Sequence, residues 1–163
     1  MGELTFFYGT MEAGKTTKLL QDRYNYLKYN IPVFVMKPSI DKKGNNKVIN
    51  RQNEGVQVNL LVSNDYCFFN KTFLKAIEKI EFILVDEAQF LTQKQAEELW
   101  AITRLCNKNV ICYGLKSKYN GDMFETTSKL LSLADQKHEL VINCRCGKPA
   151  MFNARMVEVS LNM

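Results

Sequence analysis

A chain of 163 residues, 46% hydrophobic and 24% charged, has the size and composition of a single globular domain with one core. Its net charge of +5 suits anionic small molecules and is too weak to argue for nucleic-acid binding, and no apolar run approaches the ~20 residues of a membrane span. The start Met1-Gly2-Glu3-Leu4 lacks a basic secretory leader, and Phe6 stands where myristoylation needs Ser or Thr, so the five cysteines read as reduced thiols in a cytoplasmic setting.

Glu3 to Tyr8 is a short β-rich apolar run and predicts a buried strand. After a glycine-bounded loop, Leu19, Leu20, Tyr24 and Leu27 recur at helical spacing between Thr17 and Tyr29. Pro32 to Met36 predicts a second strand, Lys37 to Gly55 a long polar loop, and Val58 to Val62 a further short strand. Tyr66 to Lys79 reads as a helix through Phe69, Phe73, Leu74 and Ile77. Phe82 to Val85 is an uninterrupted apolar run, the mark of a central parallel strand. A helix over Lys94 to Cys106 turns Ala96, Leu99, Trp100 and Leu105 inward; a strand over Val110 to Tyr113, a helix over Met123 to Ala134 and a strand over Leu140 to Ile142 follow. Cys67, Cys106 and Cys112 read as buried thiols, and His138 as a surface residue. The alternation of strands and helices implies an α/β fold with a mostly parallel sheet flanked by helices.

Two motifs carry chemistry. Gly9-Thr10-Met11-Glu12-Ala13-Gly14-Lys15-Thr16 matches the phosphate-loop pattern, with a strand before it and a helix after it, and with Thr17 it makes the expected nucleotide-binding segment. Gly9 and Gly14 allow successive amides to face an anion, Lys15 can reach the β- and γ-phosphates of ATP, and Thr16 can ligate Mg²⁺. Ile83-Leu84-Val85-Asp86-Glu87 puts an acid at the C-terminal end of a buried strand, where open α/β sheets bind ligands. Asp86 suits the role of a magnesium-side acid, and Glu87 that of a base taking a proton from an acceptor hydroxyl or water. Without the loop, the pair would read as a solvated turn. Asp86-Glu87-Ala88-Gln89 is also superficially similar to the acidic box of helicases, which need two such domains.

The strings YGTMEAGKTTKLLQDRYNY, LVDEAQFLT and CYGLKSKYNGDMF together resemble the type II thymidine kinases over roughly residues 3–155. That resemblance implies a RecA-like phosphate-loop domain over residues 1–143 and a small, shortened, zinc-ribbon-like lobe over 144–163. It implies transfer of the ATP γ-phosphate to the 5′-hydroxyl of thymidine or deoxyuridine, usually by a homotetramer, with neither nucleic acid nor membrane as partner. By the same resemblance Glu87 is the general base, Thr16, Asp41 and Asp86 lie on the magnesium side, and Ala88 and Gln89 join the nucleotide site. Met11, Phe90, Leu115, Tyr119 and Phe124 line the nucleoside pocket; read without the family, Phe90, Leu115 and Phe124 would be core and Tyr119 an exposed loop tyrosine. The chain has Asp41-Lys42-Lys43 where the family often has Asp-x-Arg, and Arg51 in the same segment is a candidate guanidinium. Cys144 and Cys146 resemble half of the family's zinc site, and no Cys or His follows them. The residues leave three readings open: an active deoxynucleoside kinase with a reduced lid, an ATP-binding remnant of that fold without turnover, and another phosphate-loop ATPase.

Overall fold

The computed structural model describes residues 2–10, 13–40, 45–50 and 52–141. Six strands form one sheet in the order β5-β2-β6-β7-β1-β8, built from β1 (Leu4–Gly9), β2 (Val33–Pro38), β5 (Leu60–Val62), β6 (Phe82–Val85), β7 (Asn109–Leu115) and β8 (Gln136–Leu140). Every pairing within it is parallel. A parallel sheet is stable only with both faces covered. Helices α2 (Lys71–Ala76), α3 (Gln93–Leu105) and α4 (Glu125–Leu133) cover one face, where Phe6, Met36, Ile83, Val85, Val110 and Cys112 meet Phe73, Leu99, Ile102 and Leu130 in one core. The other face carries α1 (Lys15–Lys28), whose Leu19 packs with Val35, Leu84, Ile111 and Tyr113 in a second core. Residue alternation along the central strands supplies both cores at once, which is why these strands are apolar at every position.

Helix α1 is fixed to the sheet by a polar tie. The Tyr113 hydroxyl, wholly buried, donates to Asp22 Oδ2 at 2.6 Å, and Lys18 donates to Asp22 Oδ1 at 2.7 Å one turn away. Burial, reinforced by the Asp22 carboxylate, pushes the Tyr113 phenol far above its usual range, so it remains a donor at every working pH. Tyr113→Phe is therefore expected to destabilise the fold by about 1.5–3 kcal/mol, the worth of a hydrogen bond to a charged group. Denaturant midpoints measure this; an unchanged midpoint would mean that Lys18 alone satisfies Asp22.

Several expectations are corrected. The stretch read as a loop over 37–55 contains strand β3 (Lys47–Ile49), which pairs antiparallel with β4 (Gly55–Gln57). Val48 is buried in the second core with its cross-strand partner Val56 packed against it, and the fully buried Lys37 donates its ammonium to the Lys47 carbonyl at 2.8 Å, so two valines and a buried lysine help hold a hairpin that composition hides. Helix α2 spans only Lys71–Ala76, because Asn70 caps it by accepting from Phe73 N at 2.8 Å. Ahead of that cap the chain runs without helix: Gln95 Nε2 donates to the carbonyls of Ser63 and Tyr66 at 2.8 and 3.0 Å and holds the backbone there. Gln95 also closes a capping box with Thr92 at the start of α3. Among the described residues the last strand is Gln136–Leu140, which begins four residues before the expected Leu140; Ile142 lies outside them, and among the described residues this edge strand pairs with β1 alone, its charged, exposed residues carrying no apolar signal. Leu105, expected inward, is 76% exposed in the last turn of α3. Cys67 is exposed and Cys106 half-buried; only Cys112 of these three is a buried thiol, and burial pushes it up to about 12.

Candidate functional site

Parallel strands place all their C-terminal ends on one edge of a sheet, and both motifs emerge there. The loop leaves β1 at Gly9, where a side chain would meet the Leu140 carbonyl oxygen at 2.4 Å. Gly14 opens α1 in the left-handed region, at φ 82°. Ala13 N donates to the Thr10 carbonyl at 3.2 Å, and Lys18 N to the Gly14 carbonyl at 2.8 Å, so the turn closes directly into the helix. The Lys15 ammonium, nearly buried, donates to the Thr10 carbonyl at 2.6 Å and is folded back across the loop. Thr17 is exposed on the outside of the first turn. Met11 and Glu12 lie outside the described residues, as do Asp41, Arg51, Cys144 and Cys146.

Asp86 leaves β6 with 4% exposure and meets Thr16 across the interval, Thr16 Oγ1 lying 3.3 and 3.4 Å from the two carboxylate oxygens. Residues 70 positions apart thus present hard oxygen donors side by side, the donor chemistry Mg²⁺ prefers. Among the described residues no group of three or more His, Cys, Asp and Glu side chains could hold a metal ion, and Asp41, also expected on the magnesium side, lies outside them.

Glu87 follows at φ 50° and ψ 41°. Among the described residues, glycine and asparagine account for every other positive φ. Asparagine tolerates this region through its short polar side chain, and glycine lacks the Cβ that clashes there. Glutamate has neither excuse, so the conformation is held by its surroundings, as strained residues at functional sites are. The Glu87 carboxylate accepts from Gln89 Nε2 at 2.5 Å, within a 3₁₀ turn over Ala88–Phe90. Ala88 is wholly buried in the main core, and Gln89 is 3% exposed.

The nucleoside-side candidates converge around that turn. Phe90 and Phe124 meet edge to face, ring centroids 6.0 Å apart. Leu115, at the end of β7, donates its N–H to Gln89 Oε1 at 3.1 Å and accepts from Thr127 Oγ1 at 2.7 Å. Thr126 Oγ1 donates to the Leu91 carbonyl, which ties α4 to the same turn. Between Leu115 and Phe124 the chain makes a small closed loop: Ser117 bridges Met123, Lys118 N donates to the Asp122 carbonyl at 2.7 Å, and Gly121 turns at φ 87°. Tyr119 sits at its tip, 60% exposed. The structure thus brings Phe90, Leu115 and Phe124 together and leaves Tyr119 on a loop beside them. Two contributors escaped the sequence reading, Thr126 and Thr127; buried hydroxyls in the first turn of a helix give no periodic signal.

A separate cavity of about 270 Å³ opens under α1, lined by Phe7, Asp22, Tyr26, Phe82 and His138 among others. None of its lining residues belongs to the phosphate loop or the acidic motif. His138 is exposed and stacks on Phe7 at 5.0 Å.

Sheet order, the loop after β1 and the acid after the central strand define a phosphate-loop nucleotide-binding protein of the α/β class. The family model described as thymidine kinase matches residues 2–161. The thymidine kinase of Mannheimia succiniciproducens is 40% identical over 159 residues, covering 97% of this chain and 82% of the relative. That of Francisella tularensis subsp. tularensis is 40% identical over 154 residues, covering 94% and 78%, and that of Enterobacteria phage T4 is 35% identical over 159, covering 97% and 82%. The chain belongs to the thymidine kinase family. No helix among the described residues is long and apolar enough to cross a membrane.

Proposed function

We propose that this chain transfers the γ-phosphate of ATP to the 5′-hydroxyl of thymidine or deoxyuridine. The observation that carries this reading is the meeting of Thr16 and Asp86 at 3.3 Å, with Glu87 next in sequence and the phosphate loop beneath. Family membership and the thymidine kinases it resembles at 35–40% identity support the choice of acceptor.

Each residue has a task. The loop amides and the α1 N-terminus receive the phosphates, and Lys15 swings from the Thr10 carbonyl to the β/γ-oxygens. Thr16 and Asp86 would hold Mg²⁺ carried in with the nucleotide, and that ion neutralises charge on the phosphates. Glu87 accepts the proton of the 5′-hydroxyl as its oxygen bonds to the γ-phosphorus; the bond from that phosphorus to the bridging oxygen breaks, and ADP leaves with the electron pair. Phe90, Phe124 and Leu115 form the apolar floor for the nucleoside, and Tyr119 closes on the base by stacking. Zinc is implied by the family resemblance alone: Cys144 and Cys146, which lie outside the described residues, supply two of the four donors a tetrahedral site takes. A cytoplasmic homotetramer belongs to the same proposal; Tyr24 and Leu27, apolar and exposed on α1, support self-association.

The test is conversion of ATP to ADP by the chain with Mg²⁺ present. Release that requires thymidine or deoxyuridine and yields the 5′-monophosphate is expected; hydrolysis indifferent to nucleoside, or ATP binding without turnover, overturns the proposal. Tyr119→Ala refines it. Base–aromatic stacking is worth about 1–3 kcal/mol, so the KM for thymidine should rise roughly tenfold or more while that for ATP stays within about twofold. Equal effects on both substrates place Tyr119 outside the pocket.

A further inference from the structure

The proposed base needs to be aimed, and a buried side chain two residues on is in place to do so. Gln89 is 3% exposed, and both ends of its carboxamide are engaged. Its Nε2 donates to Glu87 Oε2 at 2.5 Å, and its Oε1 accepts from Leu115 N at 3.1 Å. A carboxylate only accepts and a backbone N–H only donates, so these two partners leave the amide a single orientation. The backbone has made room for this: a Cβ on Gly114 would lie 3.0 Å from Gln89 Oε1 and 3.2 Å from Gln89 N.

We propose that Gln89 is a positioning residue, a rigid link that holds the Glu87 carboxylate at a fixed distance from the end of β7, where the nucleoside floor begins. The proposal rests on Glu87 being the base, and it gives Gln89 a role other than the direct nucleotide contact that family resemblance implies. The link solves a problem the fold creates. Glu87 stands in the left-handed region beyond the end of β6, with no regular backbone pairing to steer its side chain. Leu115 is fixed on its other side by Thr127, so the chain Thr127–Leu115–Gln89–Glu87 runs from α4 through β7 to the carboxylate without a gap. The link also leaves Glu87 a second carboxylate oxygen for the hydroxyl proton.

Three variants test this in steady-state turnover with thymidine and ATP. Gln89→Met keeps length and apolar bulk and removes both hydrogen bonds; kcat should fall about tenfold to a hundredfold, as for loss of alignment of a reacting group, with both KM values within about twofold. Gln89→Glu keeps an acceptor for Leu115 N and sets a carboxylate against Glu87. It should fall at least as far as Gln89→Met. If Gln89 served only to brace β7, Gln89→Glu would restore kcat, and the proposal would be overturned. A raised KM for ATP with kcat kept would overturn it in favour of direct nucleotide contact. Gly114→Ala, which crowds the same carboxamide from the backbone, should lower kcat in the same sense and gives a readout if Gln89→Met fails to fold; unchanged kcat in a folded Gly114→Ala counts against the link. Glu87→Gln run in parallel separates the two ideas. If it abolishes turnover while Gln89→Met turns over normally, the positioning role alone fails; if Glu87→Gln keeps turnover, the base fails.

Discussion

Glu87→Gln should lower kcat by about 10²–10⁴-fold, the range in which a positioned general base contributes, and should leave ATP binding unchanged. The substitution is nearly isosteric and removes the basic oxygen. It does not threaten the core, because Glu87 is only half-buried and packs in neither apolar cluster. It does not remove the Thr16–Asp86 pair, which precedes it on the strand side. One partner does change: Gln89 Nε2 now faces an amide, which still offers a carbonyl oxygen to accept. The local hydrogen bond can survive while the base is gone, so the expected signature is loss of turnover with normal nucleotide affinity and normal thermal stability. Single-turnover measurement with ATP–Mg²⁺ and thymidine reads it. A variant that loses ATP affinity together with turnover would place Glu87 on the nucleotide instead.

The phosphate loop and the acid after β6 were legible because each is a local string whose chemistry needs those residues at that spacing. Gly14 stands at φ 82°, and Asp86 follows Val85 at the buried end of the sheet. The central strands were legible for a related reason: burial on both faces leaves no polar position to blur the run Phe82–Val85. What the string concealed depends on partners far away in sequence. Strand β8 is charged and exposed, and exists because β1 offers it an edge; no window of five residues reveals an edge. The hairpin of β3 and β4 is held in part through Val48, Val56 and the Lys37 tie, contacts that a glycine- and asparagine-rich composition hides. The segment from Tyr66 read as helical through Phe69, yet Phe69 is 40% exposed; Phe68 buries in the main core and Tyr66 packs against it, from an irregular segment pinned by Gln95. Helical spacing there picked the wrong ring for burial as well as the wrong backbone conformation, because the irregular segment turns the neighbouring residue inward. The link through Gln89 was hidden in the same way, since its second partner lies 26 positions away on another strand.

Lys15→Ala should produce the other large loss, about 10²–10³-fold in kcat, comparable with removing one preorganised donor from a site where charge develops. Before nucleotide arrives, the Lys15 ammonium is held at 2.6 Å from the Thr10 carbonyl, inside the loop it will serve. That contact keeps a nearly buried cation hydrogen-bonded and stores it within a side-chain swing of the phosphates. Removing it abolishes the positive charge that balances the β- and γ-phosphates, and leaves the Thr10 carbonyl with one donor fewer, the Ala13 N–H remaining. Loss of that bond costs the fold about 1 kcal/mol by its usual worth, while the cost to turnover is large. Affinity should discriminate by phosphate number: ATP and ADP lose binding, and AMP, which places no phosphate at the lysine, does not. Titration of the three nucleotides against Lys15→Ala measures this directly. A uniform loss across all three would mean that the lysine shapes the loop rather than meeting the terminal phosphates, and a charge of the same sign, Lys15→Arg, would then restore binding to all three alike.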